Sequence, residues 1–277
     1  MLPNLITVGN AVCGFVALTY VAEVRVVDGQ LVNPQNFTFA AWFILLGMVF
    51  DVFDGRVARM TGATTELGAQ LDSMCDLVTF GLAPAGLMVK LHQAVLLHAG
   101  EAAPWGKMVW VFGLLYFIGA MLRLARFNLD TEPEEEHHQC FEGMPTPAAA
   151  GTVATLVLVY GWLREWKSWE LQMWGPTPPS WAPELANFVP AILPFVAFFL
   201  GVAMVSPRFN YPHAASRLLE RHSYNDFVTL VFAVILTFFL VEPMLCLLFL
   251  GYTVWTPLQT TLAWARGQKP TEVTPEP

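Results

Sequence analysis

Stretches of about 20 predominantly apolar residues recur along most of this chain, the length a helix needs to cross the hydrocarbon core of a bilayer. Lipid offers no hydrogen-bond partner to a peptide group, so each such stretch must close its own backbone bonds as a helix. Eight spans follow from this rule, at 4–23, 36–58, 66–90, 107–127, 147–166, 188–205, 225–241 and 243–264. The last two are separated only by Glu242-Pro243, and the third contains Pro84, where it could kink. The expected fold is all-α, a polytopic membrane helical bundle of about eight transmembrane helices. Residues 1–266 read as a single transmembrane domain, and the polar, proline-rich 267–277 as a disordered tail.

Composition agrees. Only 13% of the 277 residues are charged, against about 25% in soluble domains. Fourteen Lys and Arg face 22 Asp and Glu, a net charge of −8, which is the wrong sign for a nucleic-acid partner. Cys13, Cys75, Cys140 and Cys246 are scattered without metal or disulfide spacing and read as small apolar fillers. The first residues lack the basic region of a signal peptide, so the first apolar stretch is expected to stay as a span. No internal repeat is visible, which weakens a transporter built from inverted halves.

Positive charge orients such a bundle. With the N-terminus inside, nine basic residues fall on the inner ends: Arg56, Arg59, Arg123, Arg126, Arg208, Arg217, Arg221, Arg266 and Lys269. Five fall outside: Arg25, Lys90, Lys107, Arg164 and Lys167. Both termini are therefore expected in the cytoplasm. Trp162, Trp166, Trp169, Trp174 and Trp181 would form an aromatic anchor on the outer surface.

Against this apolar background, four carboxylates stand out. Asp51 and Asp54 are three apart and share one helix face; Asp72 and Asp76 are four apart and share a face of the next helix. A turn with one glycine and three threonines lies between them, so the helices form a hairpin and the four acids can converge. One Asp at mid-membrane costs about 2.5–3.5 kcal/mol, and four would cost on the order of 10–14 kcal/mol. Groups at this expense must face a polar cavity and be neutralised by protons, arginines or cations. Oxygen ligands without histidine suit hard ions, Mg²⁺ or Mn²⁺. Gly55, Ala58 and Gly68 are small enough to let a ligand approach, and Arg56 and Arg59 could hold phosphate. A carboxylate-lined proton or cation transporter fits the same acids, though it has no evident need of Gly55, Arg59 and Gly68 in fixed register.

The pattern Asp51-x2-Asp54-Gly55-x2-Ala58-Arg59-x8-Gly68-x3-Asp72-x3-Asp76 resembles, without a departure, the signature of the CDP-alcohol phosphatidyltransferase family. Further blocks are similar to its phosphatidylserine synthase branch in bacteria and archaea. These are Pro3-Asn4-Leu5-Ile6-Thr7 with Asn10 and Cys13-Gly14, then Asp76 to Pro84, Arg123-Leu-Ala-Arg126-Phe-Asn128, and Phe141 to Ala150.

The resemblance implies a bacterial inner-membrane enzyme with its active site facing the cytoplasm, and by family habit a homodimer. It would transfer the phosphatidyl group of CDP-diacylglycerol to L-serine, releasing CMP. Asp51, Asp54, Asp72 and Asp76 would hold one or two divalent ions, and Asp76 would take the proton of the acceptor hydroxyl. Asn10, Gly55, Ala58, Arg59, Thr65 and Gly68 would contact CDP-diacylglycerol. Arg123, Arg126 and Asn128 would contact the acceptor, whose carboxylate needs a cationic partner, with Phe141–Pro147 walling that pocket. Relatives often carry a basic residue before the Phe-x-Gly block, where this chain has Gln139-Cys140. The acidic 130–140 loop, with His137 and His138, reads as solvated rather than metal-binding. The same family with another acceptor, such as glycerol phosphate, inositol phosphate or choline, remains the alternative.

Overall fold

A computed structural model describes residues 2–61, 65–98, 106–129, 140–165, 181–206, 210–212 and 240–265. α1 (Leu2–Glu23) leads through a hairpin, β1 (Arg25–Val27) and β2 (Gln30–Val32), into α2 (Gln35–Thr61). α3 (Glu66–Asp76) runs through a π-helical turn at Leu77–Leu82 into α4 (Ala83–His98). There follow α5 (Gly106–Leu129), β3 (Cys140–Glu142), α6 (Thr146–Leu163), the short α7 (Ala182–Ala186), α8 (Phe188–Val205), β4 (Asn210–Pro212) and α9 (Val241–Ala265). Among the described residues seven helical segments are long and apolar enough to cross a membrane. The span expected at 225–241 and the tail 267–277 lie outside the described residues, as do the 130–139 loop and Trp166, Trp169 and Trp174.

α1 packs along α2, α5 along α8, and α6 takes α2 on one side and α9 on another. α6 is the centre of the bundle, with most of its residues from Thr146 to Leu163 buried. The outer helices instead expose large apolar side chains such as Trp110, Leu114, Phe188, Ile192 and Phe195. So much exposed apolar surface is tolerable only against lipid.

The third span is longer than its hydropathy suggests, running from Leu67 to His98 rather than ending near residue 90. The polar run Lys90-Leu-His92-Gln reads as an exit from the membrane, yet His92 is buried against α8. The reason is a proline. Pro194 lies inside α8 and brings no N–H to the carbonyl four residues earlier, Pro190. His92 Nδ1 lies 2.7 Å from that carbonyl oxygen, which can only accept, so Nδ1 carries the proton. Pro84 creates the same deficit at Phe80, and the Tyr116 hydroxyl donates to the Phe80 carbonyl over 2.9 Å. Both prolines thus sit in spans without leaving a bare carbonyl in the apolar interior.

Two small hairpins finish the ends. Asp28 and Gly29, at φ +52° and +73°, form the tight turn between β1 and β2. β3 pairs antiparallel with β4, and Met144 N–H donates to the Ala203 carbonyl, which ties the Phe141–Pro147 block to the end of α8. Gly143 has φ +83°, and a Cβ there would stand 2.5 Å from the Met204 carbonyl oxygen. Only glycine meets both conditions.

Candidate active site

The C-terminal half of α2 and the length of α3 bring their carboxylates together. One oxygen each from Asp51, Asp72 and Asp76 lies within 4.8 Å of the other two. Two oxygens bound to one hard cation sit up to about 4–5 Å apart, so this trio has the spacing of a divalent site. Asp54, one turn beyond Asp51, stands beside the trio and accepts a hydrogen bond from the Thr7 hydroxyl. Asp54 and Asp76 are only 5% and 7% exposed. Asp54 Oδ2 and Asp72 Oδ1 are buried and have no hydrogen-bond partner among the described residues. Buried carboxylate oxygens without donors call for a cation, a proton, a water or a ligand. The donor set fits Mg²⁺ or Mn²⁺.

Asp76 is fixed from α1. Asn10, fully buried, donates from Nδ2 to Asp76 Oδ1 over 2.8 Å. The Asn10 carbonyl in turn accepts from the Thr79 hydroxyl over 2.8 Å. This contact depends on the π turn, in which the Ala83 N–H reaches back five residues to Val78. It also depends on two glycines. A Cβ on Gly14 would lie 2.5 Å from Thr79 Oγ1 and 2.8 Å from its Cα, and one on Gly47 2.5 Å from Thr79 Cγ2. α1 and α2 can close on the turn only because both side chains are missing.

The remaining expected residues surround this centre in different ways. Asn10 reads from the sequence as a nucleotide-lipid contact, but its amide is engaged with Asp76. Thr65 is the N-cap of α3, its hydroxyl accepting from Gly68 N–H over 3.0 Å. Gly55 is exposed, and a Cβ there would meet nothing within 4 Å among the described residues. Packing against those residues therefore does not demand glycine at 55. Ala58 and Arg59 belong to α2, with side chains outside the described residues. On α5, half-buried Arg123 lies within electrostatic reach of Asp76 and of Tyr252 from α9. The Ser73 hydroxyl donates to Asn128 Oδ1 over 3.0 Å, and Arg126 is exposed in the last turn of α5.

Sequence reasoning missed the roles of Thr7, Tyr116 and Tyr252. Thr7 and Asn10 are three residues apart and so share a face of α1. That spacing is the available signal for α1 as the wall behind the acids.

The chain belongs to the CDP-alcohol phosphatidyltransferase family, whose model matches residues 1–176. Its curated relatives include the CDP-diacylglycerol–serine O-phosphatidyltransferase of Bacillus subtilis, 34% identical over 159 residues, covering 57% of this chain and 76% of the relative. The Helicobacter pylori protein of the same name is 30% identical over 159 residues, 57% of this chain and 58% of that protein. The Saccharomyces cerevisiae protein of that name is 37% identical over 134 residues, covering 47% and 42% of the two chains. The match thus spans little more than half the length of the Helicobacter relative.

Proposed function

We propose that this chain is an integral membrane enzyme that transfers the phosphatidyl group of CDP-diacylglycerol to L-serine, giving phosphatidylserine and CMP. The observation that carries the reading is the convergence of the Asp51, Asp72 and Asp76 carboxylates. They stand at the signature positions of a family whose serine-specific relatives resemble this chain.

Asp51, Asp72 and Asp76, with Asp54 beside them, would hold Mg²⁺ or Mn²⁺. A divalent ion bound there supplies charge neutralisation for the diphosphate and for the CMP that leaves. The residues of the chain do the rest. The missing side chain at Gly55 lets the diphosphate come against the backbone of α2, beside Ala58, Arg59, Thr65 and Gly68. Arg123, next to Asp76, offers a cation for the serine carboxylate, with Arg126 and Asn128 at the same mouth. Asp76, held by Asn10, accepts the proton of the serine hydroxyl as its oxygen bonds to the β-phosphorus. The bond from that phosphorus to the oxygen shared with CMP breaks, and CMP carries the electron pair away. No serine or cysteine nucleophile is needed, so transfer is direct.

The reading takes residues 1–266 as one transmembrane domain in the bacterial inner membrane. Both termini and the acids face the cytoplasm, as the basic residues favour, and the protein works as a homodimer.

Purified protein given CDP-diacylglycerol, serine and Mn²⁺ should release CMP and form phosphatidylserine. Asp76→Asn should lower kcat by about 10²–10⁴-fold, the usual contribution of a positioned general base. Turnover with glycerol phosphate or inositol phosphate but not with serine would refute the acceptor. Near-full turnover of Asp76→Asn would refute the base.

A further inference from the structure

The opposite end of the bundle carries a second polar feature. Along α2 it lies about 24 Å from the acids, at 1.5 Å per residue. Here a cavity of about 360 Å³ opens between the β1–β2 hairpin and the far ends of α4 and α6. Ligand cavities begin at roughly 300 Å³. Its lining combines the polar Arg164, His98, Gln30 and Tyr160 with the apolar Leu31, Pro34 and Val95. Among the described residues no carboxylate lines it.

Arg164 caps α6, its backbone N–H donating to the Tyr160 carbonyl. Its guanidinium lies over the Tyr160 ring, 5.8 Å from the centroid, and donates to Asn187 Oδ1. This holds the fork in one orientation. Its Nε is nevertheless buried and has no hydrogen-bond partner among the described residues. A buried charged donor left without an acceptor is costly, and a planar guanidinium is matched by the paired oxygens of a phosphate. His98 is held from behind, with Nδ1 2.8 Å from the Gly29 carbonyl.

The cavity lies at the start of α2 and the ends of α4 and α6, the level at which spans of this length would meet lipid head groups. A lining that joins a cation to apolar side chains suits an amphiphile, with phosphate at Arg164 and glycerol and first methylenes at Leu31, Pro34 and Val95. We propose that this cavity binds the phosphate of an anionic phospholipid on the membrane face opposite the aspartates. It is thus a lipid site separate from the chemistry.

The test is thermal unfolding of the purified full chain in neutral detergent. Short-chain phosphatidylglycerol, short-chain phosphatidylcholine and inorganic phosphate are titrated separately. Phosphatidylglycerol should raise Tm, and Arg164→Gln should raise the concentration needed by about tenfold, the scale of one charge-assisted hydrogen bond. His98→Ala should weaken it less, and it carries the test if Arg164→Gln does not fold. The Tm of His98→Ala without lipid should match that of the wild type. The same Tm rise with inorganic phosphate at the same concentrations would overturn the lipid assignment. Equal responses from the wild type and the variants would overturn the site.

Discussion

Asn10 and Asp76 are 66 positions apart in sequence and joined by a 2.8 Å hydrogen bond, Asn10 being fully buried. The bond fixes one oxygen of the carboxylate and leaves the other for an ion or a proton. A hydrogen bond to a charged group contributes about 1.5–3 kcal/mol. Asn10→Ala should therefore lower CMP release by about 10–100-fold while leaving the protein membrane-inserted and monodisperse. A steady-state assay beside size-exclusion chromatography checks this.

The acid trio predicts opposite responses with and without metal. In wild type, Mn²⁺ should raise Tm and chelation should reverse it, since a ligand that binds only the folded state stabilises it. Asp72→Asn should weaken Mn²⁺ binding by at least about 10–100-fold, the loss seen even for residues that only support metal ligands. Without metal it should be as stable as wild type or more so, because one of several mutually repelling charges is gone. Melting curves with Mn²⁺ and with chelator measure both arms.

Two glycine substitutions should separate packing from binding. Gly14→Ala drives a Cβ into Thr79 and should cost about 1–3 kcal/mol, the usual penalty of overpacking. Gly55→Ala meets nothing among the described residues and should leave Tm unchanged or slightly higher, since alanine is the better helix former. Its effect should fall on the KM for CDP-diacylglycerol. Thermal unfolding and substrate titration of the two variants test the contrast.

His92→Leu should destabilise by about 1–3 kcal/mol, the cost of a buried carbonyl left without a donor. Tyr116→Phe should do the same at Phe80. Neither side chain contacts the acids, so catalysis per folded molecule should hold in both. Tm and kcat measured together check this.

Hydropathy made most of the helices legible, and the acids at helical spacing exposed the carboxylate cluster of the candidate site. These are local signals, read within one or two turns. The Asn10–Asp76, Phe80–Tyr116 and His92–Pro190 contacts join residues 36 to 98 positions apart, and periodicity carries no information at that range. The apparent end of the third span near residue 90 came from the same blindness, because His92 looks like a surface residue until its partner on α8 is known. One clue was present. Pro84 and Pro194 each lie within an apolar run, and each demands a donor for the carbonyl four residues before it.

The π turn at Leu77–Leu82 separates the rotational phase of α3 from that of α4. An α-helix advances about 100° per residue, so in an unbroken helix any rearrangement of α4 would swing Asp72 and Asp76 with it. A wide turn pinned to Asn10 through Thr79 acts as a joint between two parts of one span. The half that packs on α5 and α8 is thereby free to take its own rotational phase while the acids keep their aim. Deleting one residue from the turn would remove that freedom and point the carboxylates away from Asp51.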